Sequence, residues 1–495
     1  MTFWFFLLLG LLTYWTVQRS VAGITRTPVW ILWLVLMTPA LIWGGWTLVN
    51  GTSKTLPQVL LIGPLIVCPV LYWVLFLWGR RGPNPPAIPQ TEPPAPELIK
   101  RVTPVVENVT LRPIDQTEEK QLRNCFSWSV YYIQNIEYRA QAVICRGQLR
   151  TSPDKAYEQI SANIQAQFGD RFLIVFQEGP NDKPFFVLVP NPQATKADTR
   201  SEPLARPFLA LSLMIATLFT TTLVGVGIAH SDLATLSSNP AVLLKGLPYS
   251  LALMTILGVH ELAHYLAARF YKVRTTLPYF IPVPFFLGTF GAFIQMRSPV
   301  PNRKALFDIS IAGPIAGFVA TVPLLMWGLA HSHVVPLGDK PELFRPDAMN
   351  PRYSFLLAML SKLALGSSLT TQTAIDLHPV AVAGFLGLIV TALNLMPVGQ
   401  LDGGHIVHAM FGQKNAITIG QFARFLLLGL SLVHPGRDFF LWAVILFFMP
   451  IVDEPTLNDV TELDNKRDIW GLLALALLVV IVLPVPKVLA NLWQI

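Results

Sequence analysis

Two histidines and a glutamate lie within an apolar stretch of the chain, "LGVHELAHYLAARF" at 257–270. His260 and His264 are four residues apart, which on an α-helix is about 40° of rotation, so both imidazoles face one side. That is the geometry of a two-histidine metal clamp, and Glu261 can reach a metal-bound water beside it. The pattern His-Glu-x-x-His on a helix typically holds zinc and uses the glutamate as a general base.

A purely structural role is the alternative for this motif. Histidines in membrane helices can bond to neighbouring hydroxyls or carbonyls, and so short a pattern also arises by chance in long chains. Ionisable groups at membrane depth are energetically costly, however, and are usually functional. Three of them at catalytic spacing in one apolar helix favour the metal site.

A catalytic zinc with two histidine ligands needs a third protein ligand. The richest source is "NLMPVGQLDGGHIVHAM", residues 394–410, at the end of an apolar run. Pro397 and the glycines break the helix there and expose Asp402. We predict from the distribution of lysine and arginine that the helix with His260 ends on the cytoplasmic side of the membrane. The helix break before Asp402 is predicted on that same side, so Asp402 is the candidate third ligand.

Two further histidines compete for this role. His405 and His408 follow Asp402, but each lies further past the helix break and could equally be a surface residue. Asp402-Gly403 could also be no more than a turn-forming pair on a loop. The pairing with the two histidines of the helix favours Asp402.

The composition describes a membrane protein. Of 495 residues, 53% are hydrophobic and only 13% are charged, whereas soluble domains carry about 25% charged residues. The net charge of +7 does not indicate a nucleic-acid partner, because lysine and arginine gather at the ends of apolar runs, the positive-inside pattern. The three cysteines form no CxxC or Cys/His cluster, which argues against a cysteine-held zinc.

We predict an α-helical polytopic membrane protein with about ten transmembrane helices, counted from apolar runs of about 17–25 residues. A small re-entrant β-hairpin is expected in its core, together with a soluble α+β domain. The N-terminus lacks a basic region ahead of its apolar stretch, which predicts a retained helix rather than a cleaved signal peptide. The predicted regions are a three-helix membrane region at 1–80, a proline-rich linker at 81–98, the soluble α+β domain at 99–204, a membrane core with the candidate metal site at 205–452, and a loop with a C-terminal transmembrane helix at 453–495.

The apolar stretch 276–304 is broken by prolines and glycines. We predict a re-entrant or edge-strand hairpin sheltered in the bundle, since bare strand edges do not survive in lipid. An extended substrate could add to its edge, where Gly288 and Gly291 would let the two backbones approach closely. The alternative is that these glycines only bend the loop. Gly313 and Gly317 are expected to serve close helix packing.

The paired motifs resemble the site-2 protease family of intramembrane zinc metalloproteases. The resemblance spans roughly residues 207–450, within which "LGTFGAFIQ" (287–295) and "IAGPIAGF" (311–318) are similar to the family's connecting hairpin and central helix. The large polar domain ahead of the core, without an obvious PDZ insertion, is most similar to the cyanobacterial and plastid branch, of the ethylene-dependent gravitropism-deficient yellow-green type. The motifs that carry the resemblance are His260-Glu261-x-x-His264, Asn394-x-x-Pro397 and Asp402-Gly403.

The resemblance implies a membrane metalloendopeptidase with zinc held by His260, His264 and Asp402 and with Glu261 as catalytic base. Asn394 is a candidate to hold the oxyanion through its amide, although intramembrane asparagines also bridge helices structurally. The implied partners are transmembrane protein substrates, often regulators already trimmed by another protease, and the lipid bilayer. The expected location is a bacterial plasma or thylakoid membrane or a plastid membrane, with the soluble domain on the cytoplasmic or stromal side.

Three other functions compete with proteolysis within or near transmembrane helices. A catalytically silent membrane chaperone or adaptor would have lost Glu261 or a ligand, and all of them are present. A metal transporter tends to show internal repeats with paired broken helices, and the sequence has no second copy of either motif. A prenyl-protein processing metalloprotease uses a glutamate as third ligand, and the glutamates after 264 lie in loops without a helical motif.

Overall fold

The computed structural model describes residues 27–50, 113–139, 141–179, 183–191, 206–229, 239–283, 287–336, 348–349, 354–370, 373–433, 442–443, 445–446 and 449–493, with single positions at 14, 18, 64, 68, 71–72, 75, 78 and 351. Two compact units are present, Met1–Val106 and Glu107–Ile495. In the first unit, helix α1 is Val29–Asn50. The other two helices predicted for 1–80, and the linker at 81–98, lie wholly or largely outside the described residues.

The polar region of the second unit contains both helices and strands. The sequence predicts a helix over "SPDKAYEQISANIQAQF" (152–168) and two strands around a turn over "DRFLIVFQEGPNDKPFFVLVP" (170–190), and the structure has all three together with a further helix and two further strands. All four strands pair antiparallel in the order β1-β2-β4-β3, so β3 lies at an edge of the sheet. The elements are α2 (Gln116–Cys125), β1 (Tyr131–Arg139), β2 (Ala142–Leu149), α3 (Pro153–Phe168), β3 (Phe172–Glu178) and β4 (Pro184–Pro190).

Aromatic side chains fill the space between this sheet and its helices. Phe176 of β3 and Phe186 of β4 are fully buried and stack with ring centroids 4.1 Å apart. Tyr131 of β1 meets the Phe186 ring edge-on at 5.1 Å, one of the arrangements that aromatic pairs prefer. The edge strand β3 is therefore fixed firmly in its sheet.

The rest of the unit is a helical bundle. Its helices are α4 (Pro207–Ile228), α5 (Leu247–Phe270), α6 (Arg303–Ala330), α7 (Phe355–Leu365), α8 (Pro379–Asn394), α9 (Asp402–Val433, bent at Gly412), α10 (Asn465–Val482) and α11 (Lys487–Trp493). A sheet of three short strands joins them, namely β7 (His333–Pro336), β8 (Ala348–Met349) and β9 (Thr373–Asp376).

Three helical stretches among the described residues are long and apolar enough to cross a membrane: Pro207–Ile228, Pro240–Phe270 and Arg303–Ala330. The bent pair α10 and α11 would provide a fourth span. Large apolar side chains, such as Phe208 and Phe219 of α4, are exposed on the outer faces of the bundle. Soluble proteins rarely expose extensive apolar surface, so these faces suit a lipid environment. The total of about ten spans stays a prediction.

Helices α6 and α8 approach each other closely where glycines replace side chains. A Cβ at Gly328 would lie 2.3 Å from the backbone nitrogen of Ala381, and one at Gly384 would lie 2.7 Å from Cβ of Leu325. Small residues of this kind let membrane helices meet backbone to backbone. The contact holds α8 against α6. Helix α8 ends at Asn394, and α6 packs against the His-Glu-x-x-His motif.

The predicted hairpin is present in the stretch 276–304. Strands β5 (Tyr279–Pro282) and β6 (Thr289–Phe293) pair antiparallel. The Thr220 hydroxyl of α4 donates to the Gly288 carbonyl at 2.7 Å, and the Tyr249 hydroxyl of α5 donates to the Leu287 carbonyl at 2.9 Å. These bonds attach the hairpin to the helices and satisfy backbone groups that lipid could not.

Candidate metal centre

Helix α5 places three ionisable side chains inside the bundle. His260, Glu261 and His264 are only 3%, 8% and 7% exposed. The Nε2 atoms of the two imidazoles lie 3.1 Å apart, as the spacing of one helical turn predicts. Ionisable side chains buried in this way are energetically costly unless they have polar partners or a function. A role in helix packing alone would not offset that cost.

Asp402, at the first position of α9, meets the two histidines. Its Oδ2 lies 3.5 Å from Nε2 of His260 and 3.3 Å from Nε2 of His264. Ligand atoms held tetrahedrally at about 2.0–2.1 Å from a zinc ion are about 3.3 Å from one another. The three separations match that value, so these side chains fit a single zinc ion. Among the described residues they form the one such group of three.

The protonation of His264 is set by its other ring nitrogen. Nδ1 lies 2.7 Å from the backbone carbonyl oxygen of Ile309 on α6, and only a protonated Nδ1 can donate to a carbonyl. In the neutral ring, the lone pair is then on Nε2, which faces Asp402. A partner of this kind, behind the ligand, typically orients metal-binding histidines and raises their basicity.

Two glycines of α6 make room for the imidazoles. A Cβ at Gly313 would lie 2.0 Å from Nε2 of His264, and one at Gly317 would lie 3.0 Å from Nδ1 of His260. The sequence predicts for these glycines only a role in close helix packing. Their specific neighbours are the candidate ligands, because α6 forms the wall against which both rings rest.

Asn394 ends α8 beside the same group. Its Nδ2 lies 3.1 Å from Nε2 of His260, so the side-chain amide lies at the centre of the candidate site. The chain between α8 and α9 turns through Pro397 before Asp402 begins the next helix. The predicted helix break therefore brings both Asn394 and Asp402 to His260.

The hairpin also reaches the site. The backbone N–H of Ile294, directly after β6, faces the carboxylate of Glu261. Both hairpin glycines have positive φ, but their surroundings differ. A Cβ at Gly288 would lie 2.5 Å from Cα of Thr221, whereas nothing lies within 4 Å of one at Gly291. Gly288 thus packs on α4, and Gly291 faces open space.

His405 and His408, the competing ligand candidates, lie in a separate cluster with acidic residues. His405 Nδ1 and His408 Nδ1 lie 2.8 Å and 2.6 Å from Oδ2 of Asp453. His408 Nε2 lies 3.0 Å from Oδ1 of Asp459. Burial opposes the charged ring, but hydrogen bonds to Asp453 and Asp459 raise the pKa of His408 to about 9. Sequence reasoning missed both aspartates, because they lie in a loop without a motif.

Comparisons with known proteins match the part of the chain that contains these residues. Residues 248–430 match the model of peptidase family M50, and residues 120–197 match the EGY3 middle domain. A probable zinc metalloprotease EGY2, chloroplastic, of Oryza sativa subsp. indica is 33% identical over 365 residues, covering 73% of this chain and 65% of that protein. The Arabidopsis thaliana protein of the same name is 33% identical, covering 73% of this chain and 63% of its own length.

A third relative, the probable zinc metalloprotease EGY1, chloroplastic, of Arabidopsis thaliana, is 37% identical over 246 residues, covering 50% of this chain and 44% of that protein. The chain thus spans just under two thirds of the length of the first of these curated relatives. No solved structure matches it. The matched domain contains every residue of the candidate centre and is a domain of peptidase family M50, the site-2 proteases.

Proposed function

We propose that this protein is an intramembrane zinc metalloprotease that hydrolyses peptide bonds within or near transmembrane helices of membrane-anchored proteins. The observation that carries the proposal is the meeting of His260, His264 and Asp402, with ligand atoms 3.1–3.5 Å apart, beside a buried glutamate. The M50 match over the same residues and the printed names of the relatives support it.

Two imidazole nitrogens and one carboxylate oxygen would hold the metal. His260 and His264 would bind through Nε2, and Asp402 through its carboxylate, which leaves a fourth position for water or substrate. Bound zinc acts as a Lewis acid and lowers the pKa of its water towards neutrality. The hydrogen bond from His264 to Ile309 holds that ring in the tautomer that can bind.

Glu261 is the proposed general base. Its carboxylate would take a proton from the attacking water and later deliver it to the leaving amine. The carboxylate faces the Ile294 N–H of the hairpin. Asn394 would donate its amide to the developing oxyanion, because its Nδ2 already lies 3.1 Å from a ligand nitrogen.

The hairpin is the proposed substrate guide. A peptide bond inside an intact helix is hydrogen-bonded and sterically closed, so a transmembrane substrate must unwind before attack. An extended segment could add as a strand along β6, passing Gly291, which has open space. Since the amide of Ile294, three residues after Gly291, faces Glu261, a substrate strand along β6 would run towards the proposed base. The exposed ring of Phe290 offers an apolar contact for the substrate.

The proposed location is a multi-pass position in a plastid membrane or in a cyanobacterial-like plasma or thylakoid membrane. The printed names of the relatives place those proteins in chloroplasts. Arg269, Lys272 and Arg274 are exposed at the end of α5. By the positive-inside rule this end faces the cytoplasm or stroma, which also puts the soluble domain on that side.

The test compares the purified protein with Glu261→Gln for zinc content and for cleavage of a model transmembrane substrate. We expect about one zinc per chain in both proteins, as the three-ligand site requires, and cleavage in the wild type alone. Zinc without cleavage of any tested helix would favour a membrane chaperone or adaptor, and zinc flux across vesicles would favour a transporter. Absence of zinc from both proteins would overturn the proposal.

A further inference from the structure

A segment after α9 joins the soluble domain to the membrane core; we call residues 450–459 the strap. The strap extends the sheet of the soluble domain at its edge strand β3. Phe176 of β3 donates its N–H to the Leu457 carbonyl at 2.7 Å, and Asp459 donates its N–H to the Phe176 carbonyl at 2.9 Å. The free edge of β3 is thereby paired with residues that follow the whole protease core in sequence.

The opposite side of the strap pairs with the residues directly before α6. Leu457 donates its N–H to the Val300 carbonyl at 2.9 Å, and Asn458 donates to the Pro301 carbonyl at 3.0 Å. Asn458 is buried and its Nδ2 donates to the Thr461 hydroxyl at 2.8 Å. One short stretch of chain therefore bonds both to the soluble sheet and to the segment that leads into α6, the helix that packs against the candidate ligands.

The beginning of the strap rests on the loop that leads to Asp402. A Cβ at Gly399 would lie 1.8 Å from the carbonyl oxygen of Pro450, so the two backbones are in direct contact. Gly399 has φ of +52°, which only glycine adopts freely. No other residue could occupy this position without moving the strap or the loop.

The strongest connection is made by the carboxylates of the strap to α9. His408 is fully buried and lies between Asp453, at 2.6 Å from its Nδ1, and Asp459, at 3.0 Å from its Nε2. A ring that donates from both nitrogens is an imidazolium, and each of its two N–H groups donates to a carboxylate. Thr456 supports Asp459 by donating its hydroxyl to Oδ1 at 3.0 Å.

These contacts surround the first turns of α9, the helix on which Asp402 is the first residue. His405 lies three residues after Asp402 and bonds to Asp453, and His408 lies three residues further. Residues three apart are neighbours on a helix surface, so the bonded histidines continue the row that begins with the candidate ligand. The orientation of this row is set by the strap.

We propose that His408 is a positioning residue for the metal centre, because Asp453 and Asp459 clamp it and thereby fix Asp402 and join its helix to the soluble domain. This inference rests on the proposed role of Asp402 as a zinc ligand. Supporting residues behind metal ligands typically change metal affinity by about 10–100-fold when replaced. His408 acts through the helix and touches no ligand atom.

The experiment uses full-length protein in lipid nanodiscs with Asp453→Asn, His408→Gln and the matched control Glu454→Gln. Glu454 is the next residue of the strap and its side chain is exposed, so the control removes one carboxylate charge without touching His408. Zinc affinity is measured by competition with a chelator, and cleavage is measured at limiting and at saturating zinc.

We expect zinc affinity to fall by about 10–100-fold in Asp453→Asn and His408→Gln and to equal the wild type in Glu454→Gln. Cleavage by the two cluster variants should recover at saturating zinc, which a misfolded protein would not do. Wild-type zinc affinity in both cluster variants overturns the inference while leaving the proposed function intact. A wild type that binds no zinc overturns the proposed function instead.

Amide hydrogen exchange tests the connection to the soluble domain. The Phe176 amide, bonded to Leu457, should exchange faster in Asp453→Asn than in Glu454→Gln; equal exchange overturns the coupling. If both cluster variants aggregate, His405→Gln replaces them in both measurements. Its ring lies at the margin of the cluster and makes a single bond, to Asp453. Zinc affinity and exchange equal to the wild type in that variant overturn the inference.

Discussion

Nδ1 of His264 lies 2.7 Å from the carbonyl oxygen of Ile309, one helix away. The bond ties the motif helix α5 to α6 at the point where the ring turns its other nitrogen to Asp402. Arg467 of α10 reinforces the same place by binding both oxygens of Asp308, at 2.8 Å and 2.6 Å. The candidate centre thus depends on helix packing as much as on the motif.

Gly313→Ala should abolish zinc binding. A Cβ there would lie 2.0 Å from Nε2 of His264, so either the imidazole or α6 must move, and overpacking a well-packed interior costs about 1–3 kcal/mol. Zinc content and cleavage of the purified variant measure the effect. Gly227→Ala on α4 is the control, because nothing lies within 4 Å of the added Cβ. Full zinc content in Gly313→Ala would contradict the arrangement.

Asn394→Ala should retain zinc but lose activity. Removal of one oxyanion donor typically lowers kcat by about 100–1000-fold, and Asn394 is not one of the three proposed ligands. Measurements of kcat, KM and zinc content separate the possibilities. Loss of zinc together with kcat would instead assign Asn394 a structural role at His260.

The two hairpin glycines should behave differently. Gly288→Ala would clash with the backbone of α4 at Thr221 and should lower the thermal unfolding temperature. Gly291→Ala meets open space, although its positive φ costs about 1 kcal/mol, and should mainly raise KM. Unfolding curves and cleavage kinetics of the two variants are compared side by side. Wild-type KM in a folded Gly291→Ala would argue against substrate addition at this edge.

The ion-pair cluster of the strap should make stability fall at alkaline pH. Hydrogen bonds raise the pKa of His408 from 6.5 to about 9 against the effect of burial. A raised histidine pKa contributes stability that is complete below pH 6.5 and is lost as pH rises through 9. The shift corresponds to an order of 3 kcal/mol. The thermal unfolding temperature should therefore drop between pH 7 and 9.5 in the wild type.

His408→Gln provides the comparison for this pH dependence. The variant lacks the titrating ring, so its unfolding temperature should be lower at pH 7 and nearly flat over the same range. Asp453 behaves in the opposite sense: burial opposes its charge, but hydrogen bonds to His405 and His408 lower its pKa to about 2. Its contribution is lost only as pH falls below about 4. Parallel curves for the wild type and His408→Gln would contradict the prediction.

Local spacing made part of this molecule predictable. His260, Glu261 and His264 lie on one helix, so the helical repeat alone puts both rings on one side. Asp402 could be predicted as the third ligand because Pro397 marks a helix break. The lysines and arginines at the ends of apolar runs indicate that this break and the end of the His260 helix lie on the same side of the membrane. The strands β3 and β4 were predicted because apolar, β-branched and aromatic residues flank a turn.

Contacts between distant segments account for what the sequence analysis missed. The role of Gly313 depends on the distance between α5 and α6, which no local pattern encodes. Asp453 and Asp459 look like ordinary loop acids until the chain folds and places them around His408. Strands β1 and β2 were missed because their residues are mixed in polarity, with charged members such as Glu137 and Arg146 that pair across the strands at 2.7 Å.

The position of the strap in the chain has a consequence for the order in which the protein matures. The ribosome completes the soluble domain and the His-Glu-x-x-His helix long before residues 450–459 emerge. Until they do, the edge of β3 is open and His408 has no carboxylate partners, so we expect a nascent chain to bind zinc weakly. Emergence of the strap would then complete the candidate metal centre, well after the helix with the two histidines has been made.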